Sequence, residues 1–153
     1  MQQENSHERI VRTILPDFAE KLKKEAVICS YDRKPFTISP FKDAHPIKII
    51  PDLVVHLADG KDVLVEVANP RDPKRFVGEI VYPQFLEHYK RISGVIFFVL
   101  INKKQEKIHA RGFYQKMLLS QIFGRQVHTI MVSWSPDVPD DYRNLKYILT
   151  HEI

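Results

Sequence analysis

A single cysteine, Cys29, one tryptophan and five glycines among 153 residues remove several chemistries at once. One thiol excludes an internal disulfide and any multi-cysteine zinc site. The few glycines form no phosphate loop, dinucleotide fingerprint or nucleophile elbow. The seven histidines include no closely spaced pair of the kind that ligates a metal. The longest apolar run, Val95 to Ile101, falls far short of the ~20 residues that a membrane helix needs. The first residues, MQQENSHERI, are polar and acidic, unlike a signal or transit peptide. The expectation is a cytoplasmic protein with no membrane partner, folded as a single domain over residues 1–153.

What is present is an ordinary globular composition, 44% hydrophobic and 27% charged, with a net charge of +4. The cations come in small groups, among them Lys21/Lys23/Lys24, Arg33/Lys34, Arg71/Lys74/Arg75 and Lys103/Lys104/Lys107. Such groups suit a polyanionic partner if they share a face, although solvated helix faces produce most of them. No repeat, low-complexity tract or flexible linker divides the chain.

Ile10, Val11, Ile14, Leu15, Phe18 and Leu22 recur at helical spacing, and Asn5 with Glu8 suits an N-cap near Ser6. Pro16 either kinks this helix or starts a second one. Val27 to Tyr31 reads as a short strand. Asp32 to Lys48, with Pro35, Pro40 and Pro46, reads as mostly loop around an extended Phe36 to Ile38. Asp72 and Pro73 open a helix carrying Phe76, Ile80, Phe85 and Tyr89. Gly94 to Ile101 has the continuous apolar character of a central strand buried on both faces. A polar turn at Lys103 to Lys107, a helix from His109 to Phe123 and a strand from Val127 to Ser133 follow. Asp137 to Asp141 reads as loop, with a short terminal strand at Tyr147 to Leu149.

The stretch from Ile47 to Pro70 carries the chemistry. Two β-rich runs flank Asp59-Gly60, a hairpin signal. A two-residue turn would set Leu53 opposite Glu66. A three-residue loop, Ala58-Asp59-Gly60 with Gly60 left-handed, sets Asp52 opposite Glu66 instead. In the second register Leu53, Val55, Val63, Val65 and Val67 share one face, with Leu57 near the turn. The other face carries Asp52, Val54, His56, Asp62, Leu64, Glu66 and Ala68. A slip of one residue would bury half of the charged set, so the three-residue loop is favoured. Two carboxylates then face each other across neighbouring strands, and the Val67 carbonyl could add a third oxygen for a hard divalent cation.

Pro51-Asp52 followed by Glu66-Val67-Ala68 resembles the PD-(D/E)xK signature of restriction-endonuclease-like nucleases. The element order through the Val95 strand resembles that family's αβββαβ core, a mixed sheet flanked by helices in the α/β class, over the first two-thirds of the chain. The resemblance implies Asp52 and Glu66 as catalytic residues holding Mg2+ or Mn2+. It places Ala68 where the family has its catalytic lysine. Lys74 or Arg75 could supply the missing cation from the following helix, Asn69 could orient a water, or catalysis could be lost. Glu8, on the first helix, could add a metal ligand as in some relatives, against its capping role. Gln84 and His88, four apart, could face the site, and His56 could touch a phosphate, against simple solvation at the sheet edge.

The expected partner is DNA or structured RNA, contacted through Arg71, Lys74, Arg75, Lys48, His56 and Gln84. The alternative is an inactive module on the same core that assembles with a protein partner or as a homodimer. Trp134 could stack on a base or anchor the edge of the core.

Overall fold

The amino-terminal helix is assembled in pieces, and Pro16 explains why. In the computed structural model, which describes residues 6–38, 45–68, 92–101, 127–133 and 138–153, α1 covers Ser6–Arg9 and passes into a π-helical turn at Ile10–Ile14. Helix α2, Leu15–Lys24, then starts with proline in its first turn. The Leu15 amide donates to the Ile10 carbonyl, a five-residue step. A widened turn just before Pro16 absorbs the missing amide and the ring, which an unbroken α-helix could not do cheaply.

The end of α2 corrects the expected strand at Val27 to Tyr31, because Ala26 takes a left-handed conformation at φ 57°. Its amide donates to the Lys23 carbonyl at 3.1 Å, and the Val27 amide reaches the Leu22 carbonyl at 2.9 Å. This is a Schellman-type cap, which ties down carbonyls that the helix end would leave unsatisfied. Val27 packs against the core and Ile28 is buried. The first strand, β1, is therefore displaced to Ser30–Asp32.

The remaining strands are β2 Phe36–Ile38, β3 Ile47–Ile49, β4 Leu53–His56, β5 Asp62–Ala68, β6 Gly94–Ile101 and β7 Val127–Ser133. The chain is a mixed α/β protein. Its main sheet has five strands in the order β1-β4-β5-β6-β7. β1, β4 and β5 are antiparallel neighbours, whereas β5, β6 and β7 run parallel. β2 and β3 form a separate antiparallel ribbon. Phe36 to Ile38 is thus extended as expected, but Ile47 to Ile49 leaves the hairpin strand and pairs elsewhere.

The hairpin follows the three-residue loop. The Leu57 amide donates to the Lys61 carbonyl at 2.8 Å, and the Gly60 amide donates to the Leu57 carbonyl at 3.1 Å. Gly60 has φ 86°, and a Cβ there would meet nothing within 4 Å, so its backbone conformation alone demands glycine. Leu53 pairs with Val65 and Val55 with Val63. One face of the sheet (Leu53, Val55, Val63, Val65, Val67, Ile96 and Phe98) packs against Ile10, Val11, Leu15, Phe18, Ala19 and Leu22. Val54, Leu64 and Val95, on the opposite face, are also buried, so the centre of the sheet is shielded on both sides.

The terminal strand expected at Tyr147 to Leu149 is instead part of a helix, α3, at Val138–His151. Tyr142, Leu145, Ile148 and Leu149 recur at helical spacing and are buried. Pro139 lies in the first turn, where its missing amide costs nothing, and Asp140 and Asp141 suit the positive end of the helix dipole. Phe18 joins the layers, with ring centroids 6.4 Å from Phe98 and 5.4 Å from Tyr142. Removing a ring so placed costs about 3–5 kcal/mol. The Tyr142 hydroxyl donates to Glu25 at 2.8 Å, and burial followed by that bond pushes its pKa up to about 12.

The helices expected from Asp72 onward and from His109 to Phe123, the turn at Lys103 to Lys107, and Trp134 lie outside the described residues. Two left-handed positions give opposite expectations. Ala26→Gly should raise stability by about 0.5–1 kcal/mol, because relief of the left-handed strain exceeds the added freedom of the unfolded chain. Gly60→Ala should lower it by about 1–2 kcal/mol. Urea denaturation of the two variants beside the parent checks both signs.

Candidate functional site

The β4–β5 pairing carries two groups of polar side chains on the face away from the helices. Extending the register by one step from Leu53 and Val65 sets Asp52 opposite Glu66. Both are half-buried, and their bonds cross. The Val67 amide donates to Asp52 Oδ2 at 2.8 Å, and the Asp52 amide lies 3.4 Å from Glu66 Oε1. β4 stops at Leu53, so Val67, which would otherwise meet a backbone carbonyl, meets the Asp52 carboxylate. Amide and carbonyl of one strand residue leave on the same edge, so the Val67 carbonyl is directed toward the same end of β4. Ala68 closes β5 two residues beyond Glu66, at the register position of Val99.

Oxygen donors from two carboxylates and one carbonyl suit a hard divalent cation, and Mg2+ commonly keeps several waters beside so few protein ligands. The residues therefore fit Mg2+ or Mn2+ better than zinc. Among the described residues no group of three or more His, Cys, Asp or Glu is arranged to hold a metal. Glu8 accordingly does not join Asp52 and Glu66. It pairs with Arg12 at 2.8 Å one turn along its own helix.

His56 has firmer company than solvent at the sheet edge. Its Nδ1 lies 2.6 Å from Asp62 Oδ1 and its Nε2 lies 2.7 Å from Asp32 Oδ2. With a carboxylate at each nitrogen, the ring donates on both sides when it is protonated. Both nitrogens are committed, which leaves none for the phosphate contact expected of this residue. The bonds join β1, β4 and β5. Burial pulls the His56 pKa down, but the bonds to Asp62 and Asp32 outweigh it and hold the pKa above its ordinary 6.5. At Asp32, burial pulls the pKa up, and the Lys34 amide with the His56 bond brings it below its ordinary value.

Asp32 was missed in the sequence because it fell just past the expected first strand. The displacement of β1 by the α2 cap brings it opposite Val54, beside His56. Lys48 stands on the β2–β3 ribbon, exposed and across from Thr37. Asn69, Arg71, Lys74, Arg75, Gln84 and His88 lie outside the described residues. Cys29 is exposed and free. No helix among the described residues is long and apolar enough to cross a membrane.

The chain matches no protein-family model, no curated protein and no solved structure. The chemistry of the site therefore rests on its own atoms.

The two shifts define a pH window for the three-strand clasp. A histidine whose folded pKa is raised stabilises fully below 6.5, and that contribution is lost as pH rises through the folded value. The depressed Asp32 stabilises above its ordinary 3.8 and loses this as pH falls through the folded value. The clasp should be strongest near pH ~5–6. Thermal melts of the parent and His56→Gln should differ more at pH ~5.5 than at pH ~8.5. An equal gap at both would show that the ring charge contributes nothing.

Proposed function

We propose that this protein is a divergent nuclease-like protein that binds DNA or structured RNA and holds Mg2+ or Mn2+ at Asp52 and Glu66. The observation that carries this reading is the pairing of the two carboxylates at the end of β4, with the Val67 amide fixing one of them. The strand arrangement supports it. An antiparallel trio followed by parallel β6 is the order expected of a restriction-endonuclease-like αβββαβ core.

A divalent ion bound there would polarise a phosphodiester, lower the pKa of an attacking water and neutralise charge on the leaving oxygen. The chain's own residues have defined tasks. Asp52 and Glu66 present carboxylate oxygens from adjacent strands, and the Val67 amide restrains the Asp52 side chain on one side. Such restraint limits the motion that a metal ligand loses on binding. Ala68 cannot orient or deprotonate water, so hydrolysis by this site would be slow unless a cation from elsewhere, with Lys74 or Arg75 as the candidates, takes that task.

An inactive module on the same core, serving assembly as a homodimer or with a protein partner or a structural role, is the second reading, and the alanine at position 68 favours it.

Incubation of single-stranded, duplex and branched substrates with Mg2+ or Mn2+ tests the activity. Slow cleavage that falls on the order of 100-fold in Asp52→Ala and Glu66→Ala is the expected result. Ala68→Lys should raise the rate by about 100-fold, the usual contribution of a positioned acid–base group. No cleavage by the parent or by the lysine variant on any substrate would leave the inactive role.

A further inference from the structure

The β2–β3 ribbon stands apart from the main sheet, and its chemistry differs from the rest of the chain. From residue 33 to 51 the sequence contains Arg33, Lys34, Lys42 and Lys48 against one carboxylate, Asp43. Phe36 pairs with Ile49, Thr37 with Lys48 and Ile38 with Ile47. Alternation therefore puts Phe36 and Ile49 on one face and Thr37 and Lys48 on the other, where the latter two are direct cross-strand neighbours. Thr37 and Lys48 are exposed, as are Arg33 and Lys34 at the base of the ribbon. None of the three cations lies within salt-bridge distance of a described carboxylate, although the Lys34 charge acts on Asp32.

The ribbon also leads into the carboxylate site. β3 ends at Ile49, and only Ile50 and Pro51 separate it from Asp52. Arg33 Nε reaches the Pro51 carbonyl at 3.5 Å, which fastens the base of the ribbon beside Asp52. Ile50, at the junction, is a 63% exposed apolar side chain. Whatever occupies Asp52 and Glu66 has this basic arm as its neighbour.

We propose that the β2–β3 ribbon is a DNA-binding arm, with Arg33, Lys34 and Lys48 contacting backbone phosphates of a duplex positioned at Asp52 and Glu66. The inference rests on the nucleic-acid reading of that site and adds the surface and the form of the ligand. Shape selects the ligand. Paired strands lie about 5 Å apart, and with their side chains they fit the about 12 Å major groove of B-form DNA. The deep, narrow major groove of an RNA duplex excludes such an element. Lysine and arginine on phosphates give affinity without sequence information, so the arm positions the duplex and does not select a sequence.

Fluorescence anisotropy with a labelled B-form DNA duplex of about 20 base pairs tests the arm, with EDTA present so that binding is read apart from the metal and from cleavage. The triple variant Arg33→Gln/Lys34→Gln/Lys48→Gln should raise Kd at least about 10-fold at 0.1 M salt and reduce the slope of log K against log salt by about 2–3. Lys48→Arg should bind as the parent does, whereas Lys48→Glu should bind more weakly than a neutral substitution. Circular dichroism melts establish that the variants fold, and if the triple variant does not, Lys48→Glu beside Lys48→Arg decides.

Unchanged affinity and slope in the folded triple variant would overturn the arm while leaving the carboxylate site intact. A parent that does not bind duplex DNA at low salt would overturn it as well, and the cleavage assay judges the metal site separately. Equal or tighter binding of an RNA duplex of the same length would overturn the assignment to DNA.

Discussion

The pairing register between β4 and β5 is the constraint on which the rest depends. It is set by a three-residue loop whose last member, Gly60, has φ 86°. Side chains alternate with a period of two along a strand, so a slip of one position would exchange the contents of the faces. If β5 slipped past β4, Val63, Val65 and Val67 would leave the core, and Asp62 and Glu66 would enter it. Burial of those three valines, each worth roughly 1.5–3 kcal/mol, holds the register against that exchange. The same register sets Asp52 opposite Glu66 and His56 opposite Asp62. Stability and site geometry are thus consequences of one turn.

Both ends of the described chain brace this hairpin from the same side. The stripe from Ile10 to Leu22 and the apolar positions of α3 share one core with the inner face of the sheet. Glu25, just past α2, accepts from the Tyr142 hydroxyl, and Lys146 pairs with it at 2.8 Å. Those bonds hold its carboxyl below the ordinary range, Lys146 contributing most. At the far edge, the Asp32–His56–Asp62 clasp fastens β1, the short edge strand, to its neighbours. An edge of three residues has few ladder bonds of its own, so side-chain bonds across it matter more than they would at the centre. Beyond this edge the chain departs as the basic ribbon, whose return path delivers Asp52 to the end of β4.

Several elements were legible because local chemistry and tertiary packing agree. Proline in an amphipathic helix forced a break near Pro16, and the structure places a π-turn there. An unbroken apolar run marked β6, and Asp59-Gly60 between β-rich segments marked the hairpin. The misreadings came where packing overruled a short pattern. Val27 and Ile28 look like strand residues, yet they follow a left-handed Ala26 that no propensity favours, and that displacement hid Asp32. Tyr147 to Leu149 is apolar enough for a strand, but its neighbours Tyr142 and Leu145 complete a helical stripe once a sheet face is present to receive it.

The sequence by itself determined the mixed α/β class, the β4–β5 register and the opposition of Asp52 to Glu66. The class follows from the order of periodic segments along the chain. The register and the opposition follow from periodicity and turn chemistry over about two dozen residues, where local terms dominate. It also determined the absence of lysine at position 68, whatever the fold. Only the tertiary structure decided that Asp32 reaches His56 across 24 positions of chain. It alone separated Ile47–Ile49 from the hairpin and paired that segment with Phe36–Ile38. Contacts of that separation depend on where distant elements pack, and no local pattern encodes them.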